Sequence, residues 1–282
     1  MLVVGAGLMG SGIAEVVALA GFEVIVVDLD TATLDLSRQR MGRSMARAVS
    51  SGRVTDSASV AALARISFST DLPASAESVD HVIETVVEDL AVKSAVLRQL
   101  DSCCRADVVF ASNTSQFPIS QLAAATTRPD RVIGSHWFNP PPVMDLIELV
   151  RGIQTSDETV ATAQALATAY GKQYVLCGKD SAGFITSRLL IALALEATRI
   201  VEEGIASAED VDFACVKAFN HAMGPLHTLD YSGLDTALSV ADRMREQYGE
   251  RFLAPQHLRN LVEARQLGRK TGRGFYEYAE SS

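Results

Sequence analysis

The sequence predicts an α/β domain followed by an all-helical one. Three observations carry this. Short apolar runs rich in valine and isoleucine recur through the first two thirds of the chain, most of them separated by helical patterns. A glycine-rich turn joins the first run to the first helix. After Asp180-Ser181-Ala182-Gly183 the strand-like runs stop and helical periodicity takes over. A chain of 282 residues is expected to form two domains, here 1–182 and 183–282.

The opening reads MLVVGAGLMGSGIAEVVALAGFEVIVVDLD. A strand enters Gly5-Ala6-Gly7-Leu8-Met9-Gly10. Ile13, Val16, Val17 and Ala20 then share one helix face, Gly21 ends the helix, and a second strand, Glu23 to Val27, ends at Asp28. This is a G-x-G-x-x-G turn in its strand–helix–strand context, the signature of a Rossmann-like dinucleotide-binding domain. The glycines let the backbone approach a pyrophosphate, and the helix N-terminus offers it free N–H groups. Asp28 can accept hydrogen bonds from an adenosine ribose and repels a 2′-phosphate, so NAD is the expected cofactor. Gly5, Gly7, Leu8, Met9, Gly10 and Asp28 are its candidate contacts.

The remaining elements follow in order. Thr31 to Ser51 is expected as a helix, with Arg38, Arg40, Arg43 and Arg47 along it and Arg53 just beyond. Those arginines are either a solvated face or a dock for phosphates. Strands are expected at Ile66–Ser69 and His81–Val86, with Glu84 and Glu88 at the end of the second, and a helix at Leu90–Leu100. The strand Val108–Ala111 opens into Ser112-Asn113-Thr114-Ser115. Polar residues beyond the carboxyl end of a strand lie where open α/β sheets bind ligands. Strands at Arg131–Gly134 and Met144–Val150 flank His136, the sole tryptophan Trp137, and Asn139-Pro140-Pro141-Pro142. Glu148 is an acid inside an apolar strand, which calls for a partner, and His136 is the candidate. A helix capped by Thr155-Ser156-Asp157 reaches Tyr170, and Lys172–Leu176 is the last strand. Helices at Phe184–Glu203, Ala208–Phe219 and Leu234–Tyr248 precede an irregular basic-aromatic tail, GRKTGRGFYEY.

A net charge of −9 argues against nucleic acid or an anionic membrane as partner. Cys103, Cys104, Cys177 and Cys215 show neither C-x-x-C nor zinc spacing, so no metal is expected, and reduced thiols in a cytoplasmic protein are. The chain starts directly in a strand, leaving no room for a signal peptide, and its richest apolar segment, LLIALALEA, is too short to span a bilayer.

Taken together, VVGAGLMGSGIAEVVALAG, ETVVEDLAVK, FASNTSQFPIS, HWFNPPPVMDLIELV, GFITSRLL, MGPLHTLDYSGLDT and GRKTGRGFYEY resemble the L-3-hydroxyacyl-CoA dehydrogenase family, in its short, 3-hydroxybutyryl-CoA dehydrogenase-like form. The resemblance spans almost the whole chain. It implies NAD-dependent oxidation of the 3-hydroxyl of an acyl-CoA, and a homodimer formed through the helical domain. The family's catalytic histidine falls on His136 and its glutamate on Glu148. That arrangement suits a base with a pKa near working pH, whose second ring nitrogen a carboxylate orients. Ser115 matches a serine that hydrogen-bonds the substrate oxygen, and Asn139 a residue near nicotinamide and substrate. Glu88, Lys93 and Lys270 match positions close to the cofactor. Ser44 lies where the family contacts CoA. The family's CoA-binding lysine falls on Ser51, with Arg53 as the nearby cation. Ser187 stands where the family has an asparagine that reaches toward the substrate. Three readings follow: an acyl-CoA dehydrogenase, a dehydrogenase of a free or carrier-protein-bound 3-hydroxy acid, and a catalytically silent NAD-binding relative.

Overall fold

The computed structural model describes residues 1–278. The chain divides into two compact units, Met1–Ser181 and Ala182–Ser282. The first unit contains β1 (Leu2–Val4), α1 (Leu8–Leu19), β2 (Val24–Val27), α2 (Thr31–Ser50), α3 (Asp56–Ala64), β3 (Ile66–Ser69), α4 (Leu72–Ala76), β4 (His81–Glu84), α5 (Leu90–Cys103), β5 (Val109–Ser112), α6 (Ile119–Ala123), β6 (Val132–Trp137), β7 (Leu146–Val150), α7 (Asp157–Ala169) and β8 (Gln173–Cys177). The strands form one sheet in the order β3-β2-β1-β4-β5-β6-β7-β8. Every neighbouring pair is parallel except β6 with β7. This is a doubly wound Rossmann-like sheet whose strand order reverses between β1 and β4, and ligands bind at the carboxyl side of such a switch.

Valine and isoleucine fill the strands because both sheet faces are covered. Val3, Ile13, Val17, Val26, Ile83 and Ile133 pack with Trp137, Ile147 and Leu149 in the larger core. Side-chain oxygens satisfy the first turns of several helices. Asp30 accepts from Ala32 and Thr33, Asp89 from Val92, and Ser156 from Thr159. The Asp180 carboxylate accepts from the backbone N–H groups of Ile119 and Ser120, which start α6.

The strands bearing the candidate residues differ from the sequence reading. β6 runs on to Trp137, so His136 lies within the strand and not just past it. It does so because β7 pairs with it as far as Trp137. β7 begins only at Leu146, since the N–H groups of Val143 and Met144 turn back to the Pro140 carbonyl. β4 stops at Glu84, where the Val86 N–H is taken by the Glu84 side chain. Helices α3, α4 and α6 are short and carried too little periodicity to read.

The second unit holds α8 (Thr186–Glu202), α9 (Ala208–Ala218), α10 (Pro225–Ser232), α11 (Leu234–Tyr248) and α12 (Gln256–Glu263). Ile191, Ala194 and Leu195 of α8 meet Leu229, Leu234, Val240, Met244 and Leu258 in its core. The apolar stripe of α8 is therefore internal. α8 starts at Thr186, because Phe184 adopts a left-handed φ of 51°. The tail is irregular, as expected, apart from a short 3-10 turn at Arg269–Thr271, and two buried acids hold it. Buried Asp230 accepts from the N–H groups of Phe275 and Tyr276 and from the Tyr278 hydroxyl, each at 3.0 Å. Asp212 accepts from the N–H groups of Leu226 and His227 and from the Tyr276 hydroxyl. His227 stacks on Tyr276 with ring centroids 3.8 Å apart. Among the described residues no helix is long and apolar enough to cross a membrane.

Replacing Asp230 with Ala leaves three donors without their acceptor. The expected cost is about 3 kcal/mol in a urea titration, with faster amide exchange at Phe275 and Tyr276. Unchanged exchange there would show that Asp230 does not hold the tail.

Candidate active site

At the carboxyl end of β1 the chain turns through Gly5 with φ +101°. A Cβ on Gly10 would stand 1.8 Å from the Gly5 carbonyl oxygen, so the turn closes only with glycine there. The Thr85 hydroxyl, beyond β4, donates to the carbonyls of Val4 and Gly5 and ties the turn to the neighbouring strand. No side chain caps α1, unlike α2, α5 and α7, and its first turn holds no acid. An uncapped helix start of this kind fits an anion. Asp28 is half-buried at the end of β2, and its Oδ2 accepts from the Ala6 N–H at 2.7 Å. Gly5, Gly7, Leu8, Met9, Gly10 and Asp28 therefore lie together, in a cradle that fits the pyrophosphate and ribose of a dinucleotide. A Cβ on Gly12 would meet Pro141 at 2.8 Å, so α1 rests directly on the proline turn that follows His136.

His136 and Glu148 face each other across β6 and β7. Nδ1 of His136 lies 2.9 Å from Oε2 of Glu148, which has no exposed surface. Antiparallel register creates this pair: Trp137 sits opposite Ile147 on the other face, within the apolar core. The Trp137 indole donates to Ser135, so the tryptophan is a packing residue. The Phe138 ring lies 4.7 Å from the His136 ring. Asn139 is exposed at the head of the turn, where the Asn139–Pro140 bond is cis. Lys172 donates to the carbonyls of Pro141 and Met144 and pins the turn.

Ser115 follows β5, the strand beside β6. Its N–H donates to Glu88 Oε1 at 3.0 Å, and the Thr114 hydroxyl donates to the same oxygen. The Asn113 side-chain oxygen accepts from the Trp137 N–H and joins this loop to β6. Lys93 is turned inward, 1% exposed, with Nζ 2.8 Å from Glu84 and 3.1 Å from Glu88. The sequence alone assigns Glu84 no role. An acid closing an apolar strand, as Glu148 sits inside one, was the signal that marks it.

Ser44, on α2, donates to Glu15 of α1 at 2.9 Å. Arg43, Arg47 and Arg53 are exposed beside it, and Ser51 accepts from the Arg53 Nε–H. Ser187 lies in the first turn of α8 and Lys270 pairs with Asp235 at 2.6 Å, both in the second unit. Among the described residues no cluster of His, Cys, Asp or Glu is arranged to hold a metal ion.

The parallel sheet with its glycine cradle defines a dinucleotide-binding protein, and the histidine–carboxylate pair beside the cradle suits a dehydrogenase. The comparisons with known proteins narrow this. The 3-hydroxyacyl-CoA dehydrogenase NAD-binding domain matches residues 1–181, and the C-terminal domain of the same family matches residues 183–278. A 3-hydroxybutyryl-CoA dehydrogenase of Mycobacterium tuberculosis is 48% identical over 98% of this chain and 97% of its own length. A probable 3-hydroxybutyryl-CoA dehydrogenase of Bacillus subtilis is 41% identical over 100% and 98%. The crystal structure of (S)-3-hydroxybutyryl-CoA dehydrogenase PaaH1 from Ralstonia eutropha superposes with a TM-score of 0.95 at 40% identity, covering 99% of this chain and 98% of that one. The chain belongs to the 3-hydroxyacyl-CoA dehydrogenase family and is an NAD-dependent oxidoreductase.

Nothing in the local sequence marks Glu15, which lies on the buried face of α1. It is 1% exposed, and burial pushes its carboxyl up from 4.5 to about 7, against the pull of Ser44, Arg47 and Arg53. A carboxyl with a raised folded pKa stays protonated in the folded state while the unfolded chain ionises. Stability is therefore lost as pH rises from about 4.5 to about 7 and is level above that. Glu15→Gln removes this slope. Its stability relative to the wild type is expected to improve by about 3 kcal/mol between pH 4.5 and pH 8. Parallel urea-unfolding curves across that range would contradict the assignment.

Proposed function

We propose that this chain oxidises the 3-hydroxyl of a short or functionalised (S)-3-hydroxyacyl-CoA to the 3-ketoacyl-CoA, and runs the reverse reaction, with His136 as general base. The observation that carries this reading is the His136–Glu148 bond, built by strand register beside the dinucleotide cradle. Bound NAD would supply the hydride acceptor for the carbinol carbon. His136 takes the hydroxyl proton on Nε2, while Glu148 holds Nδ1. The carboxylate fixes the tautomer and stabilises the imidazolium that forms. Because Glu148 is fully buried in a strand, it cannot swing away as the charge develops. Ser115 donates its hydroxyl to the substrate oxygen, and Asn139 borders nicotinamide and substrate. The family resemblance implies that Glu88, Lys93 and Lys270 belong to the cofactor side; buried Lys93 acts there through Glu88, with no surface of its own for the cofactor.

The acyl-CoA reading draws on the exposed cations of α2 and its C-terminal turn. Arg43, Arg47 and Arg53 suit the phosphates of a CoA nucleotide, with Ser44 beside them. A free 3-hydroxy acid would leave this row without a ligand. The relatives named for 3-hydroxybutyryl-CoA support a short chain. Ser187 is shorter than the family's asparagine and has no amide donor, which favours an acyl group bearing an additional substituent. The second unit exposes the large apolar side chains Leu189, Phe213 and Phe219, which a second copy would cover, and we take the protein to be a homodimer whose helical unit serves substrate binding and dimerisation. The four cysteines are free, in keeping with the cytoplasm.

NADH-linked reduction should be measured over a panel of 3-ketoacyl-CoAs, with free 3-keto acids as controls. Turnover is expected with the thioesters and not with the free acids, and inhibition by free CoA should accompany it. His136→Gln should lower kcat on acetoacetyl-CoA by about a thousandfold while NAD still binds. Equal rates for wild type and variant would remove the enzyme reading. Ser187→Asn should hold or raise the acetoacetyl-CoA rate. A large loss would mean that Ser187 is tuned to a different acyl group.

A further inference from the structure

We infer that Glu84 is a positioning residue for Ser115, acting through Lys93 and Glu88. The inference rests on the role given to Ser115 in the reaction proposed above.

Glu84 is the last residue of β4, in register with Val4 of β1 and Ser112 of β5, at the strand ends nearest the cofactor turn. Its carboxylate has no exposed surface. Oε1 accepts from Lys93 Nζ and from the Val86 N–H, both at 2.8 Å, and Oε2 accepts from the Ser112 hydroxyl at 2.6 Å. Both oxygens are therefore held, and the carboxylate cannot rotate. Lys93 also donates to the Val86 carbonyl and lies 3.1 Å from Glu88 Oε2. Glu88 then accepts from the Thr114 hydroxyl at 2.5 Å and from the Ser115 N–H at 3.0 Å. An unbroken chain of charge-assisted bonds runs from the strand end to the Ser115 backbone.

One lysine charge is shared by two carboxylates. Neutralising Glu84 would leave all of it to Glu88, and an ammonium held in a dry interior attracts its remaining counter-ion strongly. Glu88 would move toward Lys93 and draw Ser115 with it. Buried glue between a helix and a strand would stabilise the fold without affecting turnover. A positioning link would change turnover through Ser115 alone.

Four proteins separate these: wild type, Glu84→Gln, Ser115→Ala and the double variant, each assayed for NADH-linked reduction of acetoacetyl-CoA. Glu84→Gln is expected to lower kcat by about ten- to a hundredfold, since small misplacements of a substrate-facing group cost this much. In the Ser115→Ala background the same change should alter kcat by less than about twofold, because its route to the substrate is already cut. Equal factors in the two backgrounds, or an unchanged kcat in folded Glu84→Gln, overturn the proposal. An inert wild type overturns it together with the dehydrogenase reading, whereas an active wild type with equal factors overturns this one alone. If Glu84→Gln does not fold, Glu84→Gln with Lys93→Met removes both buried charges and takes its place in the same cycle, under the same criterion.

Discussion

A carboxylate without exposed surface persists in a folded chain only where donors or a cation meet it, and much of this structure is arranged around that constraint. Glu148 meets the His136 ring, Glu84 meets Lys93 and Ser112, and Asp230 meets two backbone N–H groups and a tyrosine hydroxyl. Glu15 meets the Ser44 hydroxyl, and burial drives its carboxyl up to about 7. Each of these acids joins elements distant in sequence. β6 meets β7 at Glu148, β4 meets α5 and β5 at Glu84, and α10 meets the tail at Asp230. The first two lie on the part of the sheet where the candidate chemistry is gathered.

The parallel sheet explains why that chemistry gathers there. β1, β4, β5 and β6 run the same way, so the glycine turn, Glu84, Ser115 and His136 emerge near one edge. The reversal at β7 returns the chain beside β6 and supplies Glu148 from within a strand. α1 rests on Pro141 through Gly12, which brings the cofactor helix against the turn that carries Asn139. Packing therefore couples the glycine turn to the His136–Glu148 pair within one unit.

The sheet and its cofactor turn were legible in the sequence because valine-rich runs and glycine spacing are local signals. The His136–Glu148 pair was legible as an acid in an apolar strand with a histidine nearby. The extension of β6 through Trp137 was not, since strand length there depends on pairing with a partner strand. Glu84 stayed without a role because its partner, Lys93, lies on the next helix, where sequence offers no sign that a lysine turns inward. Helices α10 and α12, and the contacts that hold the tail, escaped for a related reason. Their order comes from Asp212, Asp230 and a shared core, contacts that only the folded unit brings together.

The antiparallel pairing of β6 with β7 also sets which insertions the chain can accept. The eight residues between Trp137 and Leu146 form a turn that lies outside the ladder, although Lys172 and Gly12 hold it on two sides. Lengthening the turn disturbs those two holds and leaves the imidazole opposite its carboxylate. A single residue added within β6, ahead of His136, reverses the faces. It sends the imidazole into the apolar core and the Trp137 indole toward the cofactor side. Length variation in descendants of this chain can therefore accumulate in the proline turn, while the strand before it stays closed to insertion.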